Sequence, residues 1–104
     1  MTTASERRTY PRQASSANVE FLHHPTRRRF PGRCLDISRG GLLMYVPATA
    51  PLQVGHELDL TVTGDAGEYV PARGIRGEIV RVNRQALISA GQVAVGVKFS
   101  QPRQ

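Results

Sequence analysis

The sequence predicts an all-β domain: a small antiparallel barrel or sandwich of about six strands, entered by a flexible N-terminal arm. Three observations predict it. Apolar and polar residues alternate over most of the chain after residue 16, the period of strands that turn one face to a core and the other to water. Pro, Gly and Asp separate these runs at short intervals, and no stretch carries the 3.6-residue period of an amphipathic helix. The apolar complement is 39% of 104 residues, with no Trp, three Phe and three Tyr. A core must therefore be assembled mostly from Val, Leu, Ile and Ala. At this length one core makes one domain, and closing the sheet is the usual way to hide its edges.

Residues 1–16 are polar, contain Pro11 and follow neither period, so they are expected as a mobile arm, with the barrel occupying 17–104. Val19 and Phe21 mark the first strand. Arg27-Arg28-Arg29, between Pro25 and Pro31, is expected as a solvated loop, and Cys34 to Ile37, bounded by Pro31-Gly32, as the second strand with Cys34 buried. Leu42, Met44 and Val46 give a third strand ended by Pro47. Leu58, Leu60 and Val62 give a fourth, and Thr63-Gly64-Asp65-Ala66-Gly67 turns it into a hairpin whose second run extends from Tyr69 through Val82. Gly74 and Gly77 interrupt that run, as glycines do at bulges and barrel bends. Residues 83–92 are open to two readings: Ala86-Leu87-Ile88 extends a strand or forms one helical turn. Val93, Val95, Val97 and Phe99 make the cleanest alternation and predict a central strand.

The net charge of +6 is concentrated at the front. Residues 1–33 hold seven arginines against Glu6 and Glu20, a balance of +5, and the rest of the chain adds +1. Lys98 is the only lysine. Arginine forks take phosphates or base edges through paired hydrogen bonds and stack on rings, so the expected partner is anionic and flat. A single cysteine, Cys34, excludes an intramolecular disulfide. The first residues lack the apolar core of a secretory signal, and no run approaches the roughly 20 apolar residues of a membrane helix. A cytoplasmic setting without membrane insertion is the expectation. His23, His24, His56 and Cys34 have no metal-ligand spacing, so neither metal nor cofactor is expected, and no nucleophile elbow or phosphate loop supports catalysis. The chain reads as a non-enzyme.

Two local motifs carry the functional signal. Arg7-Arg8-Thr9-Tyr10-Pro11-Arg12 contains Arg-x-x-x-Arg at Arg8 and Arg12, on a segment that Pro11 keeps from being a continuous helix. Asp36-Ile37-Ser38-Arg39-Gly40-Gly41 leaves one strand and enters the next. Asp36 and Ser38 can share a face while Ile37 enters the core, and Gly40 and Gly41 allow positive φ and close approach of a ligand to the backbone.

In this order and spacing, the two motifs resemble the signatures of the PilZ domain family, Arg-x-x-x-Arg and Asp/Asn-x-Ser-x-x-Gly, at Arg8, Arg12, Asp36, Ser38 and Gly41. The resemblance continues through Pro51 to Leu58, Gly77 to Arg81 and Gly96 to Phe99. It implies a six-stranded barrel that binds cyclic di-GMP through Arg7, Arg8, Arg12, Asp36, Ser38, Gly40 and Gly41, with Arg39 and Arg73 as secondary candidates. It also implies that Arg7, directly before the first motif, goes with an intercalated pair of ligand molecules. A ligand-ordered arm would alter contacts with an unidentified downstream protein. Two alternatives stay open: a basic barrel that binds nucleic acid, although Phe21, Phe30 and Phe99 are placed as core rather than as a stacking row, and a PilZ-like interaction module that binds no ligand.

Overall fold

The computed structural model describes residues 13–64, 70, 74–84 and 91–100. Seven strands account for most of them: β1 (Gln13–Ala14), β2 (Asn18–His23), β3 (Arg28–Ser38), β4 (Gly41–Pro47), β5 (Glu57–Thr63), β6 (Ile75–Asn83) and β7 (Gln92–Phe99). No helix occurs among the described residues. Every pairing is antiparallel, and the order β3-β2-β5-β6-β7-β4 is closed by pairing of β4 back to β3. The result is a six-stranded barrel with no free sheet edge around the ring. It is the predicted class and strand count, with β1 as a short addition.

β1 and β2 both lie along β3, one behind the other. Gln13 faces Ile37 and Asn18 faces Arg33, so the N-terminal strand carries one residue more than β3 between those points. The irregular link is still tied down: the Ser15 N–H donates to Leu35 O at 2.9 Å, and the Cys34 N–H to Ala17 O at 2.9 Å. The end of the expected arm, residues 13–16, is therefore fastened along β3, while residues 1–12 lie outside the described residues.

β3 is longer than its sequence suggests. Arg28 and Arg29 are exposed strand residues opposite His23 and Leu22, not a loop, and only Arg27, left-handed at φ 61°, belongs to the turn. Pro31 does not end the strand. The Cys34 N–H points at β2, so alternation places residue 31 where its amide would point away from β2. Pairing with β4 begins only at Arg33, so the missing N–H removes no ladder bond.

The interior is the predicted aliphatic core closed by two phenylalanines. Phe21, Met44, Val46, Leu58, Leu60, Ile79, Val95 and Phe99 are completely buried. β7 shows the two-residue rhythm most cleanly, with Val93, Val95, Val97 and Phe99 inward. The segment between β4 and β5 turns Ala50 and Leu52 into the core, and the Arg84 guanidinium holds it by donating to Leu52 O at 2.8 Å. Gly74 precedes β6 in the left-handed region, φ 96°. Gly77 is neither bulge nor bend: a Cβ there would sit 2.9 Å from Leu60 Cδ1 and closer still to Val97, so its missing side chain is filled by core neighbours.

Candidate functional site

The second motif begins at an irregularity. Cys34 pairs with Met44 and Asp36 with Leu43, so Leu35 has no residue opposite it on β4. A bulge of this kind reverses the phase of alternation. Cys34 and Ile37 consequently both face the core, each 1% exposed, which three regular strand steps would forbid, and Leu35 and Asp36 lie half-buried between them. Ile37 enters the core as expected with Asp36 outward, and the bulge is what lets Cys34 face inward as well.

Beyond it the chain makes a tight hairpin. Ser38 pairs with Gly41, with Arg39, exposed, and Gly40 between them. The Ser38 side chain is buried, 3% exposed, and its hydroxyl is engaged by the turn. Oγ accepts the Gly40 N–H at 3.1 Å and donates to Gly41 O across a long 3.5 Å. Gly40 O in turn accepts the Phe99 N–H at 2.8 Å, pinning the hairpin to β7. Gly41 differs from expectation. It is not left-handed, and a Cβ on it would drive into the Val97 carbonyl oxygen and lie 3.2 Å from Lys98 Cα. The glycine lets β4 and β7 approach. Of the motif's described residues, Asp36 and Arg39 present side chains outward, whereas Ser38 and Gly41 build the turn.

Asp36 opens onto a groove of about 340 Å³, lined also by Leu43, Val80, Arg81 and Gly96 and flanked by Leu42 and Val97. The ladder explains the alignment: Asp36 faces Leu43, Leu43 faces Gly96, and Gly96 faces Arg81, one residue from each of β3, β4, β7 and β6. Three inter-strand steps along the curved sheet, each about 4.8 Å, separate the two charged residues. A second bulge, between Ile79 and Arg81, puts Val80, 47% exposed, and Arg81 both on the outer surface. Sequence reasoning missed Arg81 and Gly96. Both lie in segments quoted for the family resemblance, but nothing in a strand-like Gly-x-Ile-Val-Arg announces a bulge.

Arg7, Arg8, Arg12 and Arg73 lie outside the described residues. Gln13 nevertheless fixes where the arm reaches the barrel: it pairs with Ile37, in the middle of the second motif.

The histidines gather elsewhere, beside the β2–β3 turn and at the far end of β3 from Ser38. His23 is fully buried, with Nδ1 2.8 Å from Thr26 Oγ1 and Nε2 2.8 Å from His56 Nδ1. His56 Nδ1 also accepts the Gln53 N–H at 3.3 Å, so it is the acceptor for His23, whose proton sits on Nε2. Burial, then His56 and His24, hold the His23 pKa below its ordinary value. His24 Nε2 lies 3.1 Å from Asp59 Oδ2, and Arg76 Nε 3.4 Å from Oδ1. For Asp59, burial pushes the pKa up, but His24 and Arg76 together outweigh it and the net shift is down. Among the described residues no group of three or more His, Cys, Asp or Glu is arranged to hold a metal.

The family model for the PilZ domain matches residues 6–104, so both motifs fall within the match. The chain belongs to the PilZ domain family. No curated protein matches it. Solved structures do. The Bacillus subtilis inhibitor of motility MotI/DgrA superposes with a TM-score of 0.70 at 18% identity over 93% of this chain. The PilZ domain of YcgR from Escherichia coli, solved with c-di-GMP, superposes with a TM-score of 0.63 at 14% identity over 90% of this chain and 78% of its own. The chain spans 44% of the MotI/DgrA chain. At these identities the two structures establish a shared PilZ fold. No helix among the described residues is long and apolar enough to cross a membrane.

Proposed function

We propose that this PilZ domain is a cyclic di-GMP receptor, acting by binding rather than catalysis, whose N-terminal arm closes over ligand held against the β3–β4–β7–β6 face. The observation that carries the reading is the register of β1. Gln13 lies opposite Ile37, and the residue bonded to Gln13 is Arg12, so the first signature is tethered within one residue of the second. Arg8 and Arg12, with Arg7, would supply guanidinium forks to phosphate oxygens or to guanine O6 and N7, and the Asp36 carboxylate would accept from guanine N–H groups. Ser38, Gly40 and Gly41 would hold the turn in shape under the ligand. Arg39 and Arg73 remain secondary contacts, and Arg81 joins the set from across the groove.

Arg7 supports binding of an intercalated ligand pair. An arm ordered by ligand would offer a new surface to a downstream protein in the cytoplasm. The neighbour solved with c-di-GMP supports the ligand class.

Calorimetric titration of cyclic di-GMP into wild type, Arg8→Ala and Asp36→Ala, with GMP and a short DNA duplex as controls, tests the reading. Saturable heat with the cyclic dinucleotide alone, lost in both variants, is expected, at two ligands per chain if Arg7 acts as proposed. Salt-sensitive binding to DNA without cyclic di-GMP binding would replace the receptor reading with a nucleic-acid one, and silence with every ligand would leave an interaction module. A titration saturating at one ligand would overturn only the role given to Arg7.

A further inference from the structure

The groove contains a glycine that the fold does not require. Gly41 and Gly77 are forced by close packing, and Gly74 by its left-handed φ. Gly96 has neither reason. It lies in the interior of β7 without a left-handed φ, and a Cβ built on it would meet only Arg81 Cβ at 3.5 Å and Val80 Cγ2 at 3.9 Å, ordinary van der Waals contacts. The bulge on β6 opposite it therefore accepts a methyl group. A glycine inside a strand weakens the strand through backbone entropy and lost packing, so its presence here calls for another cause.

Its surroundings supply one. Gly96 pairs with Leu43 on one side and Arg81 on the other and lies on the floor of the groove, with Val80 exposed beside it. Bare peptide flanked by two apolar side chains is a flat bed for a ring. The ring's face would rest on the backbone while its polar edge reaches toward Asp36 or Arg81. A side chain at 96 would add an atom ~1.5 Å from Cα, on the outward side of the strand, and lift the ring off that bed.

Building on the cyclic di-GMP reading, we infer that Gly96 is a specificity-determining residue, the floor against which one planar base of the ligand lies. The arginines and Asp36 would recognise charge and hydrogen-bonding edges, and Gly96 would recognise flatness.

The test titrates cyclic di-GMP into wild type, Gly96→Ala and Gly96→Val and measures the thermal midpoint of each. Gly96→Ala is expected to melt at or above the wild-type temperature and to bind at least tenfold more weakly, with Gly96→Val weaker again. Wild-type binding retained within twofold by Gly96→Ala would overturn the inference and leave the receptor reading standing. A clear drop in the Gly96→Ala midpoint would make Gly96 a structural glycine and overturn it equally. No binding by wild type would overturn the receptor reading and this inference together.

Discussion

Replacing Gly41 by Ala adds one methyl group, and the structure determines where it must go. The new Cβ would point into the Val97 carbonyl oxygen, an atom that no side-chain rotation can move aside. Relief requires β4 and β7 to separate where Gly41 pairs with Lys98, next to the Phe99 N–H to Gly40 O bond of 2.8 Å. Overpacking of this kind costs about 1–3 kcal/mol, and a backbone obstacle puts the site toward the upper end. Removing a strand glycine returns about 0.5–1 kcal/mol. The net loss is then ~1–2 kcal/mol, which lowers the midpoint of a domain this size by about 5–15 °C. Urea and thermal unfolding followed by far-UV circular dichroism would measure it, with Gly96→Ala as the matched control on the facing strand. The expected ranking is Gly41→Ala below wild type and Gly96→Ala at or above it. A Gly41→Ala protein as stable as wild type would refute the claim that β7 backbone, rather than a ligand, demands this glycine.

Removing the Phe21 ring, which is fully buried and 5.8 Å from the Phe30 ring, should cost about 3–5 kcal/mol as Phe21→Ala; a loss under 1 kcal/mol in urea unfolding would mean the core collapses around the gap. Acid should weaken the fold through His23. Its folded pKa lies below the unfolded value of about 6.5, so the unfolded chain binds the proton first, and stability present above that pH is lost as pH falls toward the folded pKa. The slope of stability between pH 5 and 7 should flatten in His23→Leu, and an unchanged slope would assign the acid sensitivity to another group. Asp36→Asn at the half-buried carboxylate and Arg81→Ala on the exposed surface test the groove, and Arg81→Ala should stay within about 0.5 kcal/mol of wild type in unfolding. Each should weaken cyclic di-GMP binding at least tenfold in calorimetry, and full affinity in Arg81→Ala would remove that residue from the site.

Local alternation carried most of the fold. β4 from Leu42 onward and β7 were legible residue by residue, because each alternates there and each inward side chain is apolar. β3 was legible only in its second half. Pro31-Gly32 looks like punctuation until the ladder shows that residue 31 has no hydrogen bond to lose, a property of neighbours far away in sequence. The bulges at Leu35 and Val80 left no mark on composition, so the paired outward placement of Leu35 with Asp36 and of Val80 with Arg81 could not be read. Asp36 was still found, through its motif, whereas Arg81 looked like one surface arginine among many. Gly41 was identified for its place in the motif, but its neighbour Val97 is 56 positions away and no local rule supplies that contact. The pairing of His23 with His56 was hidden for the same reason, since it spans 33 residues.

The two bulges flank the β4–β7 pair, one on each outer neighbour. A strand has only two faces, so inserting a residue is the smallest edit that moves a side chain from interior to exterior without changing its type. Each bulge sets two neighbouring side chains outward together, Leu35 with Asp36 and Val80 with Arg81, so the surface beside each charge is written in residue count as much as in residue identity. Excising Val80 or Leu35 would leave every motif residue in the chain and every strand in its place. It would also leave Asp36 outward beside the inward Cys34, and Arg81 outward beside the inward Ile79, and would remove only the second outward side chain next to each charge. Moving a bulge, rather than removing it, is what changes a side chain's face, so a redesign of this surface could turn a charge from one side of the sheet to the other by shifting a bulge two residues along without substituting a single amino acid.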